Sequence, residues 1–204
     1  VLFQDSQGSV WVGNQKLFRF NENNNRFDLW HFRPSDRKIA PQGLFTAVTQ
    51  DLDHNLWLGT ASRLFRLNLQ TNQLKEYGPE QGLSDSSIAG LQLCLPNHLW
   101  ISTGKGLTAM DLSDGKTKNY ELGIFNRGAT LMGRSGELFF GGIHGMVSFS
   151  PQKITDNPHI PKIVITSFKK THKAYDPGIP LARLKQLNLS YEDRCFSIEF
   201  AALD

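Results

Sequence analysis

The chain has 204 residues, with 39% hydrophobic and 20% charged content, a net charge of +3 and two cysteines. That length and apolar fraction support a sizeable core and one to two domains. The small, scattered basic excess argues against nucleic acid as a partner, and no apolar run reaches the length of a membrane-spanning helix.

A motif recurs four times in chain order. A turn leads into a short apolar run and a small residue, and a second strand follows, in SVWVGN, NLWLGT, HLWISTG and ELFFGG. The anchors are Trp11, Trp57, Trp100 and Phe139. Leu17, Leu64, Leu107 and Met146 follow them at 6 or 7 positions, and Trp30, Tyr77 and Tyr120 follow the first three at 19 or 20. Six positions before the anchors stand Asp5, Asp51, Cys94 and Gly133. A period of roughly 40–50 residues with several short strands per unit is the sign of a β-propeller blade.

Each unit divides into four strands. In the second, AVTQDL, LWLGTA, RLFRLN and QLKEY alternate apolar and polar residues between Asn/Asp turns, which argues for antiparallel hairpins rather than helix. A blade cannot bury both of its faces alone, so the three anchor tryptophans are read as core between blades. The expected units are 1–46, 47–90 and 91–129 as blades, then 130–158 as a last, incomplete blade. In that last unit Pro151, Pro158 and Pro161 disfavour a central strand. Three strands of its own are expected there, with a fourth supplied from elsewhere. The blades are expected to form the C-terminal part of a propeller whose earlier blades lie upstream.

Residues 159–204 change pattern. KIVITSF (162–168), LKQLNLS (184–190) and RCFSIEFAAL (194–203) read as three strands, with Phe196, Ile198 and Phe200 on one face. A polar segment holding Asp176-Pro177-Gly178 separates the first two. Three strands with one apolar face are marginal alone and suggest part of a β-sandwich. The fold class is therefore all-β: propeller blades followed by part of an immunoglobulin-like sandwich.

These residues carry a resemblance. The blade pattern, with Gly82-Leu83-Ser84 in its linker, resembles the two-component regulator propeller repeat. PKIVITSF followed by LSYEDRCFSIEFAALD resembles the start of the triple-tyrosine (YYY-type) immunoglobulin-like domain that follows such propellers. The resemblance implies the periplasmic or extracellular sensor portion of a bacterial inner-membrane protein. The output it implies is a hybrid histidine kinase and response regulator, with breakdown products of polysaccharides as ligands. It also implies homodimerisation of the intact protein and membrane anchoring through segments outside these residues. No kinase, nucleotide-binding or receiver motif is present in the sequence itself.

Other readings stay open. Propellers also host glycosidases and lyases, so fold alone does not exclude catalysis. Glycoside cleavage wants two carboxylates at a set distance, whereas the acids here fall in turns or recur by repeat position. No catalytic residues, metal ligands or cofactor are assigned. A protein–protein scaffold is the third reading, because open blade edges invite strand pairing. Cys94 and Cys195 show no metal spacing and are read as two separate, partly buried thiols.

Candidate ligand contacts are the residues that break the repeat. The insert 32–43 carries Arg33 and Arg37, Trp30 and His31 precede it, and Arg127 sits in the equivalent linker of the third unit. Guanidinium forks suit carboxylates or sulfates and aromatic faces suit sugar rings. These five residues are the expected mouth of an oligosaccharide site. The competing reading is a variable loop that contacts a neighbouring domain.

Overall fold

The computed structural model describes residues 1–32, 41, 43–155, 162–170, 173–174, 181–184, 186–187, 189–191 and 194–203. The chain divides into two units, Val1–Ile154 and Thr155–Asp204. In the first unit, β1 (Leu2–Gln4), β2 (Val10–Gly13), β3 (Leu17–Asn21) and β4 (Arg26–Leu29) form an antiparallel sheet in chain order. The second sheet repeats this with β5 (Phe45–Gln50), β6 (Asn55–Thr60), β7 (Leu64–Asn68) and β8 (Gln73–Tyr77). The third is β9 (Ile88–Cys94), β10 (His98–Thr103), β11 (Leu107–Asp111) and β12 (Thr117–Tyr120). The fourth has three strands, β13 (Phe125–Met132), β14 (Leu138–Gly142) and β15 (Gly145–Phe149). The first strands contact one another in sequence, β1 with β5, β5 with β9 and β9 with β13. This is the arrangement of propeller blades about an axis.

Period-two alternation explains the packing. In β6, Leu56 and Leu58 face the first sheet, where they meet Trp11 and Leu17 beside Phe45 of their own sheet. Trp57 lies between them in sequence and so points the other way, into a cluster with Tyr77, Ile88, Leu99 and Ile101. Trp100 repeats the move toward the fourth sheet, among Phe125, Leu138 and Phe140. The three tryptophans are only 1–3% exposed. The aromatic at 19 or 20 packs on its own anchor, with ring centroids 5.0 Å apart for Trp11–Trp30, 5.1 Å for Trp57–Tyr77 and 5.7 Å for Trp100–Tyr120. Such pairs add roughly 0.5–1.5 kcal/mol beyond area burial.

The aspartate six places before the anchor fastens the turn to the core. Asp5 Oδ1 accepts the Gln7 and Ser9 backbone N–H groups at 3.0 and 2.8 Å, and Oδ2 accepts Trp11 Nε1–H at 2.9 Å. Asp51 does the same for Asp53 and Asn55 at 3.0 and 2.8 Å and for Trp57 Nε1–H at 2.9 Å. Both carboxylates are buried, which costs free energy unless donors surround them. In the third sheet Cys94 takes that position, and the buried Trp100 Nε1 has no hydrogen-bond partner among the described residues.

The small residue two places after the anchor also has a reason. A Cβ added at Gly59 would lie 2.6 Å from Ile88 Cγ2 on the first strand of the next sheet, and one at Gly13 would lie 3.0 Å from Phe45 Cβ. In the third sheet Ser102 stands there, and the room is made instead at Gly90, where a Cβ would lie 2.2 Å from Thr130 Cγ2.

In the second unit, β16 (Lys162–Lys170) pairs antiparallel with β17 (Lys173–Ala174) on one edge and β18 (Phe196–Leu203) on the other. Phe168 is buried and stacks on Phe196 at 5.8 Å. The strand expected at 184–190 is absent among its described residues: both edges of β16 are already taken, one by Lys173–Ala174 from the segment read as a polar connection. Phe196, Ile198 and Phe200 alternate onto one exposed face. Cys94 is buried and Cys195 exposed, and both are free thiols, which corrects the expectation that both are partly buried.

Candidate functional site

Connections between sheets leave the fourth strand of one and enter the first strand of the next, so they share an end of the unit with the β2–β3 type hairpins. At that end Trp30 N donates to Leu17 O at 2.8 Å, and Phe45 N donates to Asn14 O at 2.7 Å. Trp30 and His31 are held together by one side chain of the second sheet. Asn72 Oδ1 accepts Trp30 Nε1–H at 3.1 Å, and Asn72 Nδ2 donates to the His31 carbonyl at 2.9 Å. Trp30 is half-buried against Trp11, so its ring serves first as a cover for the anchor. The His31 side chain is exposed.

Arg127 is exposed on β13, the first strand of the fourth sheet. Trp30 follows β4, the last strand of the first sheet, so two whole sheets separate their carriers. Arg33 and Arg37 lie outside the described residues. Of the five expected contacts, the structure brings Trp30 and His31 together.

Two features went unread in the sequence. A basic residue recurs on every second hairpin, five or six places after the anchor: Lys16, Arg63, Lys105 and His144. Arg63 is tied down by Glu76 at 2.6 Å, whereas Lys16, Lys105 and His144 are exposed. The Ile143 N–H donates to Ile124 O at 3.1 Å, which sets the His144 hairpin beside the start of β13 and Arg127. The repeat spacing carried this signal.

The second feature is a cleft of about 540 Å³ on the first sheet, lined by Ser9, Arg19, Asn21, Asn23, Asp28 and Trp30 among others. Its volume is in the range of small-ligand sites, roughly 300–1,000 Å³. Arg19 lies over the Trp11 ring at 5.6 Å and donates to Ser9 Oγ at 2.7 Å. Asn21 Nδ2 donates to Asp28 Oδ2 at 2.6 Å. An indole edge beside planar amide, carboxylate and guanidinium groups offers donors and acceptors of the kind that hydroxyl-rich ligands use. A second cleft of about 470 Å³ lies between the third and fourth sheets, beside Cys94, Leu95, Met132 and Lys153. Burial pushes the Cys94 thiol pKa up from its ordinary value, so it is a poor nucleophile. Hydrogen bonds from Ser113 hold the Asp111 carboxyl pKa down, and Lys116 does the same for Asp114. Both acids shape an exposed turn. No group of three His, Cys, Asp or Glu side chains among the described residues is arranged to hold a metal ion.

No family model matches the chain. Over 98% of its length it is 26% identical to Histidine kinase P4 of Formosa agariphila, and it spans 16% of that protein. The extracellular domain of a hybrid two-component system of B. thetaiotaomicron superposes with a TM-score of 0.72 at 20% identity, covering 98% of this chain and 28% of that one. A second such domain from the same organism gives 0.54 at 19% identity, with 98% and 27% covered. The chain shares the fold of these sensor ectodomains. The match includes residues of both units. The chain spans under a third of the length of each of these proteins.

Proposed function

We propose that these residues form part of the extracellular sensor region of a membrane-spanning two-component signalling protein. In this reading the blades present ligand-contacting loops and the second unit begins the relay toward a cytoplasmic histidine kinase. The observation that supports it is the alignment of both units, over 98% of the chain, with a hybrid two-component ectodomain at a TM-score of 0.72. The 26% identity to a histidine kinase points the same way. The fragment itself is non-catalytic in this reading, and the intact protein relays its signal as a homodimer.

The ligand we propose is an oligosaccharide, held in the cleft beside Trp30, where Arg19, Asn21, Asp28 and Trp30 supply its polar and aromatic lining. Arg127 and the exposed bases of the β2–β3 type hairpins lie at the connection end, apart from that cleft, and offer a separate contact that favours acidic sugars. The test uses the intact protein in membrane vesicles with a panel of neutral and acidic oligosaccharides. Thermal shift of the ectodomain reads binding and phosphate incorporation reads output. A glycan that raises both supports the reading. Binding without any change in phosphorylation overturns the relay, and no shift from any glycan overturns the ligand.

A further inference from the structure

The chain has four tryptophans, and three of their indole N–H groups are bonded. Trp11, Trp30 and Trp57 donate Nε1–H to side-chain oxygens of Asp5, Asn72 and Asp51. Trp100 is 3% exposed, and its Nε1 has no partner among the described residues. A buried donor without an acceptor is costly and calls for an explanation.

The repeat sets where that N–H points. In the first two sheets the anchor Nε1–H meets the carboxylate six places before it. In the third sheet that place belongs to Cys94, which packs in the same cluster as Trp100. The thiol ends one atom sooner than an aspartate carboxylate and brings no strong acceptor. The turn has changed with it. Asp5 and Asp51 accept backbone N–H groups two and four places on. Two places after Cys94 stands Pro96, which has no N–H.

Cys94 is also a wall of the 470 Å³ cleft between the third and fourth sheets, so the Trp100 N–H is aimed at a residue that borders open space. Leu95 and Met132, 60% and 41% exposed, give the cleft apolar sides. Among its lining residues Lys153 is the one cation and offsets the one acid, Glu137.

We propose that this cleft binds a small monocarboxylic acid with an apolar body. One carboxylate oxygen takes the Trp100 Nε1–H, as Asp5 and Asp51 do for the other anchors, and the body lies on Leu95 and Met132. Burial keeps the Cys94 thiol neutral by raising its pKa, so it adds no charge against the anion. Entry requires the Cys94 side chain to turn aside, because Nε1 itself is enclosed. A single water is the competing occupant. The carboxylate is favoured because the repeat uses one twice for the same N–H, and a charge-assisted bond is roughly twice as strong as a neutral one. The site is separate from the oligosaccharide cleft on the first sheet and stands or falls without it.

The test follows the indole N–H signals of the isotope-labelled 204-residue chain by NMR during titration with hexanoate. Acetate, which lacks the apolar body, and hexanol, which lacks the charge, are the comparison probes. The Trp100 signal is identified by its loss in Trp100→Phe. We expect hexanoate to move it downfield and to saturate while the other indole signals stay still. Acetate and hexanol should bind at least about tenfold more weakly. Cys94→Asp should place the signal downfield without any ligand and abolish the response. Should that variant fail to fold, Leu95→Asp at an exposed position of the wall should weaken hexanoate about tenfold. A Trp100 signal that ignores every probe overturns the proposal, as does one already downfield with a cross-peak to a trapped water. An equal response to acetate overturns the ligand class. A hexanoate response that survives both Cys94→Asp and Leu95→Asp overturns the site.

Discussion

The second sheet is packed on both sides, with Leu56, Leu58 and Leu67 toward the first sheet and Trp57, Leu64 and Tyr77 toward the third. The fourth sheet carries the same repeat, and among the described residues of its unit it is packed on one side only, through Leu138 and Phe140. On its other face Leu131 pairs with the half-buried Phe139, and both Leu131 and Met146 are exposed. The repeat therefore fixes which way a side chain points, and the neighbour decides what that direction is worth. A blade position has no stability of its own until another sheet lies against it.

Deleting the two anchors should separate the cases most sharply. Trp57→Ala should cost about 3–5 kcal/mol, the range for truncating a buried aromatic. Phe139→Ala should cost well under half as much, both read by urea denaturation. Equal losses would break the comparison. The buried carboxylate comes next. Asp51→Ala leaves the Trp57 indole N–H and the Asn55 side chain without their acceptor and should cost roughly 2–3 kcal/mol, since a stranded buried donor is expensive.

The third sheet permits the reverse experiment. Cys94→Asp should restore an acceptor to Trp100 Nε1 and raise stability by about 1 kcal/mol, visible as a higher urea midpoint at unchanged slope. A lower midpoint would show that this turn does not admit the arrangement of the first two sheets.

The smallest effect concerns the thiols. Exposed Cys195 should react with a thiol reagent well before buried Cys94. Burial raises the folded-state pKa of Cys94 above its unfolded value, so its contribution is intact below the ordinary thiol pKa and is lost as pH rises through the raised one. As pH rises above the ordinary thiol value of about 8.5 the native chain should therefore lose more stability than Cys94→Ser. Parallel pH curves for the two would remove the thiol from the account.

What was legible in the sequence followed from periodicity. The tryptophan anchors, the aromatic at 19 or 20 and the hairpin order could be read because each recurs at fixed spacing and serves one packing interface. The aspartate at minus six was visible as a recurrence, while its bond to the indole N–H needed the turn geometry. Trp30 holds the repeat's aromatic position and also stands next to a long insert, which makes it a candidate ligand contact as well. The structure shows the first role directly, since it covers Trp11 as Tyr77 covers Trp57. Arg19 was passed over although it matches Arg66: each lies over its anchor indole, at 5.6 and 5.7 Å. The alternating leucines at 184–190 promised a strand, but alternation cannot say whether a sheet edge is open to receive it.

The close approach at Gly13 and Gly59 has a consequence for the ring as a whole. Each glycine lets the first strand of the following sheet lean against the second strand of its own, so neighbouring sheets converge toward the axis and fan out at the rim. A methyl group at these positions would act as a shim on the inner side, opening the gap there and narrowing the fan. A narrower fan needs more sectors to complete a circle. One hydrogen-for-methyl difference per repeat thereby bears on how many blades the circle can hold.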